Sequence, residues 1–327
     1  MRKRIILAAF AAFAGIAATM AQQIAVVSES GATSVYQTLT EAIEEADPGS
    51  VIYLPGGGFQ IHDSVKITKR LSIIGIGHKA KNENVDGNTT IAGNLFFNEG
   101  SSGSSVMGCY ISGNVNIGNG GVPVNNVLIK YCNINAVAVN NNTCTGTIVN
   151  QNYIRNGSNF KSASVTFSNN IAHSVFELDN GIITNNIFTN YYYYSSNGYG
   201  YSGVMLWSDN CTISNNILLA TNGANIGSNC LVTGNMRRND NWGDDPINVS
   251  AEWTEVFTNY NGGKITPASD FHFKPEYQQY SDCGIYGGTG FNDGALPPVP
   301  FIVSKSIPEQ TDAAGNLNIK IRVKAGE

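Results

Sequence analysis

Short apolar phrases recur through the middle of the chain. Each runs through a polar step to an Asn or Cys and ends on another apolar residue. The copies are Val106-Met107-Gly108-Cys109-Tyr110-Ile111, Ile129-Lys130-Tyr131-Cys132-Asn133-Ile134, Val149-Asn150-Gln151-Asn152-Tyr153-Ile154, Phe167-Ser168-Asn169-Asn170-Ile171, Ile183-Thr184-Asn185-Asn186-Ile187, Ile213-Ser214-Asn215-Asn216-Ile217 and Val232-Thr233-Gly234-Asn235-Met236. The Cys/Asn positions 109, 132, 152, 170, 186, 216 and 235 are separated by 23, 20, 18, 16, 30 and 19 residues. A drifting period near twenty is the mark of a solenoid, with the long steps as loops on one side. Leucine-rich repeats share that period, but the apolar positions here are Val and Ile, which suit strands.

A second strand-like phrase lies between these positions: Val115 and Ile117, Val137 and Val139, Phe176 and Leu178, Val204 and Leu206, Ala224 and Ile226. Alternation with period two sends these residues inward and their neighbours outward. Each coil is thus expected to hold two or three short strands separated by Asn/Gly turns. Coils stack about 4.8 Å apart, so an Asn in one can hydrogen-bond its counterpart in the next. Such a ladder offsets the cost of burying amides and assigns Asn152, Asn170, Asn186, Asn216 and Asn235 to structure.

At the start, Thr38-Leu39-Thr40-Glu41 reads as a capping box, and Leu39, Ala42, Ile43 and Ala46 share one helical face. Asp47-Pro48-Gly49 ends that helix, which is expected to cover the open end of the stack. The fold class predicted is all-β: a single-stranded right-handed parallel β-helix over residues 22–292, with a capping helix near 38–46. After it, Pro297-Pro298-Val299-Pro300 reads as a linker, and Leu317, Ile319, Ile321 and Val323 alternate with polar residues. Residues 293–327 are therefore expected to be a linker and a terminal strand or hairpin that packs on the helix, caps it, or pairs with a partner.

Composition narrows the setting. Arg2, Lys3 and Arg4 precede an apolar Ala-rich stretch, and Thr19-Met20-Ala21 places small side chains ahead of a cut before Gln22, so residues 1–21 read as an export signal. That stretch is short for a membrane anchor, and no span is expected after its removal. The protein is expected in the periplasm, on the outer surface or outside the cell. Cleavage leaves 16 Lys and Arg against 24 Asp and Glu, a net charge of −8. This balance argues against a nucleic-acid partner. A monomer is expected, and with 42% hydrophobic residues the chain is not disordered.

The entry Gly49-Ser50-Val51-Ile52-Tyr53-Leu54-Pro55-Gly56-Gly57, followed by Leu71 to Gly77 and His78, resembles the pectin-lyase-like superfamily. Asp270-Phe271-His272-Phe273-Lys274-Pro275 and Asp282-Cys283-Gly284-Ile285-Tyr286-Gly287-Gly288 resemble the closing coil of secreted β-helix proteins from Bacteroidetes-type bacteria. The resemblance covers roughly residues 30–295. It implies the fold, whereas the scaffold carries lyases, hydrolases and non-catalytic adhesins alike. The polygalacturonase signature of Asn-Thr-Asp, Asp-Asp, Gly-His-Gly and Arg-Ile-Lys is absent, as is the pectate-lyase cluster of calcium-binding acids with an Arg.

Six cysteines are present. Cys109 and Cys132 share one repeat position, and so do Cys211 and Cys230; stacked free thiols are favoured over disulfides at these sites. The 30-residue step carries Tyr191, Tyr192, Tyr193, Tyr194, Tyr199 and Tyr201. Arg155 and His173 each lie three residues past a ladder position. Alternation sends Glu177, Asp179, Trp207 and Asp209 outward nearby. Aromatic faces suit sugar rings, so the tyrosines, Trp207, Asp179 and Asp209 are the glycan-binding candidates. Arg155, His173 and Glu177 are the catalytic candidates if there is chemistry. The competing account is a solvated coil edge with tyrosines packed over the helix. No cofactor is expected; Ca²⁺ at Asp240, Asp244 and Asp245 competes with a plain solvated loop. Two functions follow: a non-catalytic β-helix that binds polysaccharide or another surface partner, or a lyase or hydrolase of an acidic glycan with an unfamiliar site.

Overall fold

The computed structural model of the chain describes residues 23–78, 81–82, 85–189, 206–219, 224–240, 242–262, 265–266, 268–298, 300–306, 310, 314–316 and 319–325. The expected export signal lies outside them. The molecule is mainly β, built on two long parallel sheets. Coil follows coil, and each contributes up to three short strands. The first face runs through Val51–Tyr53, Ser72–Ile74, Ser105–Met107, Leu128–Lys130, Thr147–Asn150, Val165–Ser168, Ile182–Thr184, Thr212–Ser214 and Leu231–Thr233. The second face runs from Gly57–Gln60 through Tyr110–Ile111 and Asn133–Ile134 to Ile217–Leu218, Met236–Arg238 and Ile247–Val249. The third face carries Leu95–Phe97, Val115–Ile117, Val137–Val139, Leu206–Asp209 and Ala224–Ile226. The second and third faces form one sheet because the long strands Tyr153–Ala163 and Ile171–Asp179 turn the corner without breaking.

Alternation fills the interior. Ile73, Val106, Ile129, Val149, Phe167 and Ile183 stack inward from the first face, all fully buried. Where the second face offers only Ala172, the rings of Phe160, Phe167 and Phe188 fill the space. Phe167 and Phe188 are stacked at 6.3 Å, and Phe160 meets Phe167 edge-on at 5.9 Å.

The corner between the first and second faces explains the repeated phrase. It needs one residue at positive φ, and that place is held by Gly108, Tyr131, Gln151, Asn169, Asn185, Asn215 and Gly234 in successive coils. Gly and Asn take the left-handed region most readily, which accounts for most of these choices. The next residue is the ladder position. The backbone N–H and the Nδ2 of Asn152 both donate to Asn170 Oδ1, at 2.9 and 3.1 Å. The same pair of bonds links Asn170 to Asn186, Asn186 to Asn216 and Asn216 to Asn235. Each Nδ2 also donates to a backbone carbonyl of the preceding coil. Cys132 continues the ladder with a thiol that donates to Lys130 O at 3.2 Å and Val106 O at 3.7 Å. All six cysteines are free.

The two ends are built differently. At the start, Ile24–Val27 pairs antiparallel with Val51–Tyr53 and with Thr33–Tyr36. Helix Leu39–Glu45 lies beside them, with its capping box formed at Thr38 and Glu41. At the far end, the described residues of 251–298 do not add the closing coil expected of Asp270-Phe271-His272 and its neighbours. Asp270–Phe273 pairs antiparallel with Phe257–Asn259. The cluster of Trp253, Val256, Phe257, Tyr260, Phe271 and Phe273 packs on the outward row Ile171, Ile187, Ile217 and Met236 of the second face. From Cys283 the chain runs back along the ladder corner. Asn185 Nδ2 donates to Asp282 O, Asn169 Nδ2 to Ile285 O and Gly287 O, and Asn292 N–H to Gln151 Oε1. The left-handed corner residues thus present their side chains to this strap. The chain ends in the antiparallel hairpin Pro300–Ser306 with Lys320–Ala325.

Candidate functional site

Of the catalytic candidates, Arg155 is committed to structure. It projects outward from the second face and reaches back over two preceding coils. Its guanidinium donates to Asn133 Oδ1 at 2.6 Å, Ile111 O at 2.9 Å and Ser112 O at 3.1 Å. Its flat face covers the Tyr110 ring at 4.6 Å. The guanidinium therefore points away from His173, which lies in the following coil. His173 sits at the turn from second to third face, half-buried, with Nδ1 2.9 Å from Ser174 Oγ.

Glu177, Asp179, Trp207 and Asp209 are brought together on the third face. Register passes from Val175↔Leu206 to Leu178↔Ser208, so two residues, Phe176 and Glu177, stand opposite the single Trp207. This is a β-bulge, and its cause is visible in the backbone: Glu177 has φ +52°. The other positive-φ residues of the coils mostly stand at corners between faces, where Asn or Gly is common, whereas Glu177 lies inside a strand. A bulge re-aims a side chain, and left-handed residues other than Gly or Asn carry strain of about 1–3 kcal/mol that clusters at functional positions. The preceding coil is irregular at the same level, because register there passes from Asn159↔Phe176 to Ala163↔Leu178 around Lys161, φ +42°.

The bulge also corrects one expectation. Phe176 was expected inward with Leu178, but Val175 takes the core place and Phe176 lies half-buried outside. Its ring rests on Gly157, where a Cβ would stand 2.5 Å from the ring. Trp207 is 42% exposed. Below it, Lys161 joins Gly121, Asn140, Asn141, Asn142 and Thr143 around an open depression of about 530 Å³. The sequence reasoning missed these residues, and the run Asn140-Asn141-Asn142 was the signal available.

Asp179 and Asp209 form a ladder of their own at the turn to the first face. Asp179 Oδ1 accepts the Asp209 N–H at 3.1 Å, and Asp209 Oδ1 accepts the Ser228 N–H at 2.9 Å. Both carboxylates are held in place by these bonds. Beside them Cys211 and Cys230 stack as Cys109 and Cys132 do, with the Cys211 thiol donating to Asp209 O at 3.1 Å. Burial pushes the Cys132 thiol up to about 12 and the Cys211 thiol up to about 11, so these thiols keep their protons and serve as small donors rather than nucleophiles.

The remaining candidates lie elsewhere. Tyr191, Tyr192, Tyr193, Tyr194, Tyr199 and Tyr201 fall outside the described residues. Asp240 is paired with the buried Arg237 at 2.6 Å. Asp244 and Asp245 are exposed, and the Asp244 backbone extends the first face by bonding Val232 O and Gly234 N–H. Among the described residues no group of three or more His, Cys, Asp and Glu is arranged to hold a metal ion, and no helix is long and apolar enough to cross a membrane. No protein-family model, curated protein or solved structure matches the chain. The reading of function therefore rests on the third face itself.

Proposed function

We propose that this chain is an exported, right-handed, single-stranded parallel β-helix of pectin-lyase-like type that binds polysaccharide on its third face. Residues 1–21 are its export signal, residues 22–292 are the helix with its cover, and residues 293–327 are the linker and hairpin. It works as a monomer, without a nucleic-acid partner. The fold reading is supported by the three-faced coils, the Asn ladder at one corner and the capping helix over the first coil. The binding reading is carried by one observation: an exposed Trp207 beside Glu177, a residue held in a left-handed bulge. An exposed indole offers a flat apolar face to a sugar ring, and the polar side chains of Lys161 and Asn140–Asn142 lie two and three coils below. Coils about 4.8 Å apart repeat at a distance close to one sugar of an extended chain, so several coils contact successive rings.

The direct test is affinity electrophoresis through gels containing polysaccharide. The native protein is expected to be retarded in at least one gel, and Trp207→Ala to lose most of that retardation while keeping its native circular dichroism. Retardation that is unchanged in Trp207→Ala counts against the third face as the site.

A catalytic reading rests on the strain at Glu177. If that carboxylate acts as an acid or base, release of reducing ends from a bound glycan is expected and is abolished in Glu177→Gln. Arg155 takes no part in this reading, because its guanidinium already serves two backbone carbonyls and Asn133.

A further inference from the structure

Charge on the third face points to the kind of glycan. Glu177, Asp179 and Asp209 lie half-buried on the two strands that meet at Trp207, and one oxygen of each aspartate is held by a backbone N–H of the next coil. Among the described residues the basic groups nearby are few. Arg155 is folded back over the second face, His173 stands at the turn between faces with Nδ1 on Ser174, and Lys161 lies two coils away at the depression. Lys66, farther down the face, sits over the Phe96 ring at 3.5 Å. A polyuronate carries a carboxylate on every sugar and would set one against Glu177, Asp179 or Asp209 as it passed Trp207. Like charges held together in this way discriminate strongly between partners.

We infer that the third face selects an uncharged polysaccharide and rejects polyuronates, through the carboxylates of Glu177, Asp179 and Asp209 around Trp207. This deepens the binding reading above and rests on it. The neutral ligand meets Trp207 by stacking, and its hydroxyls donate to the free carboxylate oxygens and accept from Lys161. The same acids that repel a uronate are good acceptors for sugar hydroxyls.

The two readings separate in one experiment. The full chain is run in gels containing galactomannan, xyloglucan, hydroxyethyl cellulose or laminarin, and in parallel gels containing polygalacturonate or alginate, at low ionic strength. Retardation by a neutral polymer but by neither polyuronate is expected, with Trp207→Ala weakening it at least ten-fold. Retardation by polygalacturonate or alginate through Trp207 overturns the inference and leaves the binding reading standing. Retardation by none of the six overturns both. A second arm tests the cause: Glu177→Gln, Asp179→Asn and Asp209→Asn combined keep the oxygens that accept the Asp209 and Ser228 N–H groups, so the fold is retained. That variant is expected to gain at least ten-fold in polygalacturonate retardation. Native circular dichroism with no such gain overturns the charge-based account.

Discussion

The second and third faces obey the same alternation yet present opposite outsides. Outward on the second face the chain places Ile171, Ile187, Ile217 and Met236, each at most 8% exposed because the aromatic segment after Trp253 lies on them. Outward on the third face it places Phe176, Glu177 and Trp207, with Trp207 open to solvent. The first face is intermediate: Ile148, Ile182 and Leu231 are 42–56% exposed, and their row is interrupted by Thr166 and Thr212. An unbroken aliphatic row therefore marks a face that the chain itself covers. Two aromatics among polar residues, Phe176 half-buried and Trp207 open, mark a face left for something else.

The comparison is broken most severely by removing the cover. Phe257 is fully buried and touches the rings of Trp253, Tyr260, Phe271 and Phe273 at 5.3–6.1 Å. Phe257→Ala is expected to cost about 3–5 kcal/mol by lost burial and a cavity. Urea unfolding measures that loss, and binding of a hydrophobic dye reports the uncovered Ile171–Met236 row. If the second face were open as the third is, stability would hardly change.

A smaller loss is expected from the ladder, which runs along the corner between the first and second faces. Asn186→Ala removes the acceptor for the Asn170 N–H and the donor to Phe167 O, all of them buried. Unsatisfied buried groups of this kind cost about 1–3 kcal/mol each, so about 2–4 kcal/mol in urea is expected. Asn186→Cys should lose less, since Cys132 fills the same place with its thiol on Lys130 O and Val106 O.

This ladder is also where the sequence was most legible. Its period, its inward Val and Ile and its Asn positions all follow from alternation and the need to satisfy buried amides. The capping box at Thr38 was legible for the same local reason. Three features were not. The cover at 251–285 makes long-range contacts, and a phrase such as Asp270-Phe271-His272-Phe273 reads as a coil strand whether it joins the stack or lies on it. Arg155 read as a reactive cation because sequence does not show that two carbonyls of distant coils await it. The bulge was hidden because Val175-Phe176-Glu177-Leu178 fits strict alternation equally well with Phe176 inside; only the paired strand Leu206–Asp209 sets the register.

The finest test of the comparison lies at Glu177. Left-handed Tyr131 and Gln151 stand at structural corners, so the response to substitution, with Gly as the less strained alternative, is what separates a ligand-directed Glu177 from a structural one. Relieving the strain on Glu177 gains about 1–2 kcal/mol, while the added freedom of Gly in the unfolded chain costs about 0.5–1 kcal/mol. Glu177→Gly is therefore expected to leave the protein as stable or up to about 1.5 kcal/mol more stable in urea, and to lose glycan retardation. A substitution that improves the fold while removing binding identifies the strain as kept for the ligand. If instead Glu177→Gly is destabilised and still binds, the bulge belongs to the scaffold, and the difference between the two faces reduces to which one the C-terminal segment happens to cover.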